Sequence, residues 1–386
     1  MSTKTREAEV WNLRLIGHSD LAGQGDGMQL MLKDHYLFVG HVLGKMGTTV
    51  LDVSNPKEPK VVQQLKIPPF THSHKVQISG DILIVNYEKY PMGPGGTFPE
   101  RAGIQILDIS DPVNPRELGF FQTGGKGVHR VWYSGGKYAH MSATPEGFSD
   151  RIMMIVDVSD PTNPQEVSKW WEPGMWTAGG EKPYWASDLR ISAHHPVVWK
   201  GRAYWGFWDL GIIIMDISDP ANPKEVSRLG WGPKDGGHTH TAMPLPDRNL
   251  LVVTDEATTA NCDEVAKRVR LVDISDETKP RVISKFPEPQ GDYCERGLRF
   301  GPHNVHENRP GSFISDQIIY VTYFNAGLRV VDISDAENPK EIAYYVPRTP
   351  ESQQAIQTND VYVAKNGLIY ISDRAGGGVD ILELTI

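Results

Sequence analysis

The sequence predicts an all-β chain folded as one seven-bladed β-propeller. Three observations carry that reading: a repeated phrase, a constant strand–turn–strand grammar between its copies, and a last unit that ends before its outer strand. The phrase reads LDVSNPKEP at Leu51–Pro59, LDISDPVNP at Leu107–Pro115, VDVSDPTNP at Val156–Pro164 and MDISDPANP at Met215–Pro223, with looser copies at Val272–Pro280 and Val331–Pro339. Its Asp recurs at Asp52, Asp108, Asp157, Asp216, Asp273 and Asp332, in steps of about 50–60 residues, which signals an array or propeller rather than a helical solenoid.

Each copy has a physical meaning. The aliphatic residues before it (Ile104, Ile106 and Leu107; Ile212, Ile213 and Ile214) suit a buried strand. The Asx-Pro pair then stops the ladder, because Pro has no N–H and Asx side chains cap turns. A short strand such as Lys224–Arg228 follows. On these residues the chain resembles the LVIVD-repeat family, whose members look like β-propellers. The resemblance implies an architecture and not a reaction.

Between copies, an inner strand, a Gly-containing turn and an apolar second strand recur: His74–Ile78, Ser79–Asp81, Ile82–Val85 in one unit, Pro196–Trp199, Lys200–Gly201, Arg202–Trp205 in another. Blades are expected at 27–66, 72–123, 127–173, 192–232, 238–287, 301–347 and 359–384. The last unit reaches its Asp at Asp380 and stops. The chain around 9–16 is expected to supply the missing outer strand and so remove the open edge. Insertions at Tyr90–Arg101, Pro145–Asp150, Gly174–Ile191, Ala257–Lys267, Pro287–Phe300 and Asn308–Ser315 mark one elaborated, functional face.

Composition narrows the function. The net charge of −9 is dispersed and leaves no basic stripe, which argues against nucleic-acid binding. No apolar run is long enough to span a bilayer, and the N-terminus has no signal-like core, so neither a membrane partner nor secretion is expected. Cys262 and Cys294 allow one bridge at most, and free thiols in a reducing cytoplasm are the preferred expectation. The sequence leaves the oligomeric state open.

The chemistry is expected on the axis. Aligned on inner strands, the opening residues are Met28, His74, His129, His195, His240, His303 and Asn359. The five imidazoles of His74, His129, His195, His240 and His303 would repel one another if protonated, or bury bare nitrogens if neutral. A divalent transition metal (Fe, Mn, Zn or Cu) removes both problems. His72, His194, His238 and His306 lie nearby in sequence. Second-strand ends bring Glu88, His140, Asp209, Asp255, Glu256, Tyr323 and Asp373 toward the same face. Glu88 and Glu256 are the preferred groups for orienting a ligand imidazole or acting as general base. Arg190 and Arg299 are candidates for gripping a substrate carboxylate or phosphate, and Trp176 and Trp185 for walling a pocket. The expected function is a metal-dependent enzyme acting on a small-molecule substrate, with oxidoreductase or oxygenase chemistry preferred to a lyase or hydrolase. The competing reading is a non-catalytic binding or scaffold propeller with structural His.

Overall fold

The structure, a computed structural model, describes residues 6–42, 46–90 and 100–386. It is all-β and propeller-like. Most of the expected insertion at Tyr90–Arg101 lies outside the described residues.

The repeated Asp makes each hairpin in the same way. Its Oδ1 accepts the backbone N–H two residues on: Asp52 from Ser54 (2.9 Å), Asp157 from Ser159 (2.9 Å), Asp216 from Ser218 (2.9 Å) and Asp332 from Ser334 (2.7 Å). That Asx turn ends the third strand and starts the return. Just before it the third and fourth strands slip by one residue, at Val50/Leu51, Ile106/Leu107, Ile155/Val156, Ile214/Met215, Leu271/Val272 and Val330/Val331. A bulge there sharpens the twist that each sheet needs to stack on the next.

The strands form antiparallel sheets. Gly27–Lys33, Tyr36–His41, Met46–Asp52 and Lys60–Lys66 make one; Pro196–Trp199, Arg202–Gly206, Ile212–Asp216 and Lys224–Leu229 another; Thr239–Leu245, Leu250–Asp255, Val269–Asp273 and Arg281–Lys285 a third. The second and third repeat units merge into one nine-stranded sheet, joined where Gly127 pairs with Glu88. In the sixth unit the inner segment at His303–His306 meets Ile318–Thr322 at the Val305–Val321 bridge, with backbone hydrogen bonds from His303 to Thr322, Thr322 to Asn304 and His306 to Tyr320.

The N-terminal chain is divided between two sheets. Leu13–Ser19 pairs with Gly378–Leu384 and completes the last sheet. Glu9–Trp11 instead pairs with Lys340–Val346 of the unit before. The span expected at 9–16 therefore belongs to two units, and the change of sheet falls at Asn12, which has a positive φ of 54°. Apolar third-strand residues such as Ile104, Ile106, Val156, Ile213 and Ile214 are fully buried where units face one another. Each such side chain stabilises the stack by roughly 1.5–3 kcal/mol.

The expectation of free thiols is corrected. Cys262 and Cys294 are bonded to each other, closing a separation of 32 residues. The bond ties the 257–267 insertion to the 287–300 insertion. No helix among the described residues is long and apolar enough to cross a membrane.

Candidate metal and substrate site on the axis

The ring of axial side chains is built by bulges on the inner strands. Register slips between Gly27 and Leu30, Val128 and Arg130, Thr239 and Thr241, and Thr358 and Asp360 leave His129, His240 and Asn359 as extra residues. In the fourth unit the Gly206 carbonyl accepts the His194 N–H (2.8 Å) while the Gly206 N–H donates to the His195 carbonyl (3.3 Å), so two residues again face one. A bulge re-aims successive side chains. Glycine at the facing position makes room: a Cβ on Gly206 would stand 2.3 Å from the His240 carbonyl oxygen, and one on Gly40 would stand 2.6 Å from that of His74.

Two polar layers result. The upper one comprises Met28, His74, His129, His194, His240, His303 and Asn359. All but Asn359 line a cavity of about 300 Å³, together with His72, Glu88, Tyr90, Arg130, Arg151, Arg190, Trp208, Glu256, Thr258, Arg299 and Arg374. The lower layer is a closed network. The buried Arg130 donates to His195 Nδ1 (2.9 Å), His240 Nε2 (2.7 Å) and Asn304 Oδ1 (2.8 Å). His195 Nε2 lies 3.0 Å from Glu307 Oε1, and Glu307 Oε2 accepts from Arg309 at 3.0 Å. Arg309 also donates to Gln77 (2.7 Å) and to the Tyr133 carbonyl, and so fastens the 308–315 insertion beneath the axis.

The upper imidazoles are set up as neutral donors. His72 Nδ1–H donates to the Val42 carbonyl (2.6 Å), His129 Nδ1–H to Glu88 Oε2 (2.7 Å) and His303 Nδ1–H to the Asn359 carbonyl (2.7 Å). In each ring that fixes the tautomer and puts the lone pair on Nε2. One potential ligand atom from each of His72, His74, Glu88 and His129 lies within 4.8 Å of the others; His194, His240 and Glu256 form a second such group. His129 Nε2 and His194 Nε2 join the two at 3.1 Å. Burial holds His74, His129, His194, His240 and His303 well below the ordinary imidazole range, and takes His72 down to about 4. Neutral imidazoles beside a carboxylate suit Zn, Fe, Mn or Cu by donor chemistry.

The carboxylates divide. Glu88 stands behind His129 and also meets Arg151 at 3.3 Å, so it orients a ring while its own charge is partly matched. Glu256 Oε1 accepts from Arg299 (3.0 Å), and its carboxylate lies 3.8–3.9 Å from Nε2 of His194, His240 and His303. Glu256 Oε2 makes no hydrogen bond among the described residues.

Of the axial positions expected from sequence, His74, His129, His240 and His303 line the cavity with Glu88, Glu256, Arg190 and Arg299. His195 does not: it is locked between Arg130 and Glu307, and the neighbouring His194 occupies the ring. Sequence reasoning aligned the fourth unit one residue late because both candidates are His. Arg190 is turned to Asp150 (2.7 Å) and lies over Trp208. The remaining strand-end groups hold structure. Asp209 accepts from the backbone of Arg190 and His238, Asp373 from Ala375 and Gly377, and Asp255 pairs with Arg270 at 2.5 Å. His140 sits mid-strand, opposite Trp132. His306 binds the Phe313 carbonyl, and His238 faces Glu264 at 3.4 Å. Trp176 and Trp185 are absent from the cavity, where Trp208 supplies the aromatic wall. Arg130, Arg151 and Arg374 were missed. Arg130 and Arg151 were legible as the residue after a ring His and the residue opening a third strand, whereas nothing in sequence marked Arg374.

Comparison with known proteins bears on the fold. The LVIVD repeat matches residues 24–66, 100–123, 129–170, 198–229 and 313–346. No curated protein shows significant sequence similarity to the chain. Among solved structures, the periplasmic gluconolactonase of Pseudomonas aeruginosa aligns with a TM-score of 0.58 at 12% identity, covering 89% of this chain and 93% of its own. A protein from Lactobacillus plantarum aligns with a TM-score of 0.56 at 12% identity, covering 93% and 95%. A computationally designed protein aligns with a TM-score of 0.53 at 12% identity, covering 95% and 97%. At such identities the likeness speaks for the propeller-like fold alone. With the repeat detected in five stretches along its length, the chain is an LVIVD-repeat protein.

Proposed function

We propose that this protein is a seven-bladed propeller enzyme that uses a divalent transition metal, held by His72, His74 and His129, on a small organic substrate in the axial cavity. The observation that carries the reading is the tied-off Nδ1 of His72 and His129, which leaves neutral Nε2 donors beside His74 and Glu88. The metal would supply Lewis-acid activation of a substrate oxygen or of water.

The protein's own groups do the rest. Glu88 holds the His129 tautomer. Glu256, with Oε2 unbonded, is placed to take a proton from substrate or water. Arg151, beside Glu88, stabilises negative charge that develops on a reacting oxygen. This lining supports a lyase or hydrolase over the oxygenase chemistry preferred from sequence, because guanidinium groups outnumber apolar walls. The gluconolactonase likeness adds no weight to the reaction. The Cys262–Cys294 bond supports an oxidising compartment over the cytoplasm.

The test is a screen of untagged protein, stripped with a chelator and reloaded separately with Fe(II), Mn(II), Zn(II) and Cu(II). Lactones, esters and sugar acids are offered with and without O₂. Metal-restored turnover that ignores O₂ supports the proposal, and O₂ consumption would move it to the oxygenase reading. Turnover insensitive to chelation overturns it.

A further inference from the structure

The imidazoles do not complete the ring. Units two to six contribute His74, His129, His194, His240 and His303, whereas units seven and one contribute Asn359 and Met28. Asn359 is buried with both side-chain amide atoms unpartnered among the described residues. Beside this imidazole-free arc the last unit brings Arg374 into the cavity lining, next to Met28, Tyr90 and Arg299.

Arg374 differs from the other lining arginines. Arg151 meets Glu88 at 3.3 Å, Arg190 meets Asp150 at 2.7 Å, and Arg299 meets Glu256 at 3.0 Å. Arg130 donates through its two terminal nitrogens to three neutral acceptors, while its Nε–H has no partner among the described residues. The Arg374 guanidinium has no ion pair and no side-chain hydrogen bond among the described residues; its one recorded contact is the Phe324 ring at 6.0 Å. Burial, and then Arg299 close by, lowers its pKa to about 10 against the opposing pull of Glu256, Tyr90 and Asp373. The lining as a whole sets five guanidiniums against two carboxylates, with the imidazoles neutral. With Arg151, Arg190 and Arg299 each paired to a carboxylate, Arg130 and Arg374 leave the concave site net positive, which attracts and holds anions.

We infer that the imidazole-free arc is an anion subsite, in which Arg374 and Arg299 grip a substrate carboxylate or phosphate while the reacting end points to the His72–His74–His129 side. The inference rests on the axial cavity being the substrate site and names the substrate class: a small molecule with at least one anionic group, and with two better matched to the charge of the lining. Arg374 and Arg299 are binding residues here.

Calorimetric titration of untagged, metal-free protein separates this claim from the metal proposal. Inorganic phosphate and malonate are the probes, and malonamide is the uncharged control. The parent is expected to bind one anion with an affinity that falls as salt rises, and to ignore malonamide. Malonate alone would mark a carboxylate substrate and phosphate alone a phosphate ester. Arg374→Gln should weaken the preferred anion at least tenfold, with unchanged melting temperature and metal content. The inference is overturned if neither anion binds the parent, or if Arg374→Gln and Arg299→Gln, each shown folded by melting, bind it like the parent. Metal uptake by the same proteins after loading, read by elemental analysis, reports on the other claim.

Discussion

Replacing Glu88 by Gln tests how the site is held together. The carboxylate accepts the His129 Nδ1–H at 2.7 Å and faces Arg151 at 3.3 Å. Gln keeps the volume and one acceptor oxygen but removes the charge. Two losses follow. The hydrogen bond from His129 becomes neutral, which makes Nε2 a poorer donor and frees the ring to turn. The Arg151 charge is no longer matched, so the electrostatic cost of a dication nearby rises. Loss of such an orienting partner typically weakens metal binding about 10–100-fold, equivalent to about 1.4–2.7 kcal/mol. The fold should survive, because Glu88 retains its backbone pairs to His72 and Gly127. The assay is competitive titration with a chromophoric chelator, with the parent and His129→Ala alongside. His129→Ala should lose more than Glu88→Gln. If Glu88→Gln binds metal within twofold of the parent, Glu88 does not orient a ligand and the Nδ1 argument fails.

The other predictions concern stability. Deleting residues 1–12 removes the Glu9–Trp11 edge, where Val10 and Trp11 are almost half exposed, with the Arg6–Asp292 and Glu9–Arg296 ion pairs and the Asn12 bond to Ile342, and should cost about 2 kcal/mol. Deleting through Ser19 removes the Leu13–Ser19 strand and should cost about 3–6 kcal/mol from lost ladder bonds and the burial of Leu13; equal melting of the two truncations would refute the division of the N-terminal chain. Replacing both Cys262 and Cys294 with Ser should cost about 3–4 kcal/mol by loop-closure entropy across the 32-residue separation, and reducing agent should lower the melting temperature of the parent alone. His140 and His306, both buried away from the cavity, have pKa values lowered by burial to about 4. The unfolded chain binds these protons near the ordinary 6.5, so stability is full above that pH and is lost as pH falls toward 4. Each should cost about 2 kcal/mol between pH 7 and 5, and a metal-free melt flat over that window would contradict it.

Much of this was readable in the chain. The Asx-Pro pair announced a capped turn, and Asn55, Asp111, Asp160 and Asp219 each accept the backbone N–H two residues on; the Asx turn made by the repeated Asp itself was not foreseen. The inner-strand alignment brought four of five imidazoles to one cavity. What escaped reading has physical causes. A bulge spends an extra residue, and in His194–His195 both neighbours were chemically equal, so composition could not say which faced the cavity. His72 reaches the site because its strand, Thr71–His72, adds to the second strand of its own unit by way of Glu88. The disulfide joins two insertions that are neighbours only in space. Arg374 follows a second strand that ends in Asp373, and only three dimensions show that its guanidinium has no ion pair among the described residues.

The central claim is most directly tested by elemental analysis of untagged protein as purified and after loading, for the parent and for His72→Ala with His129→Ala. The account predicts close to one equivalent of a transition metal per chain in the parent and its loss in the double variant, with the variant still folded. A parent that retains no metal after loading with Fe, Mn, Zn and Cu in turn, or a double variant that holds metal like the parent, would contradict it.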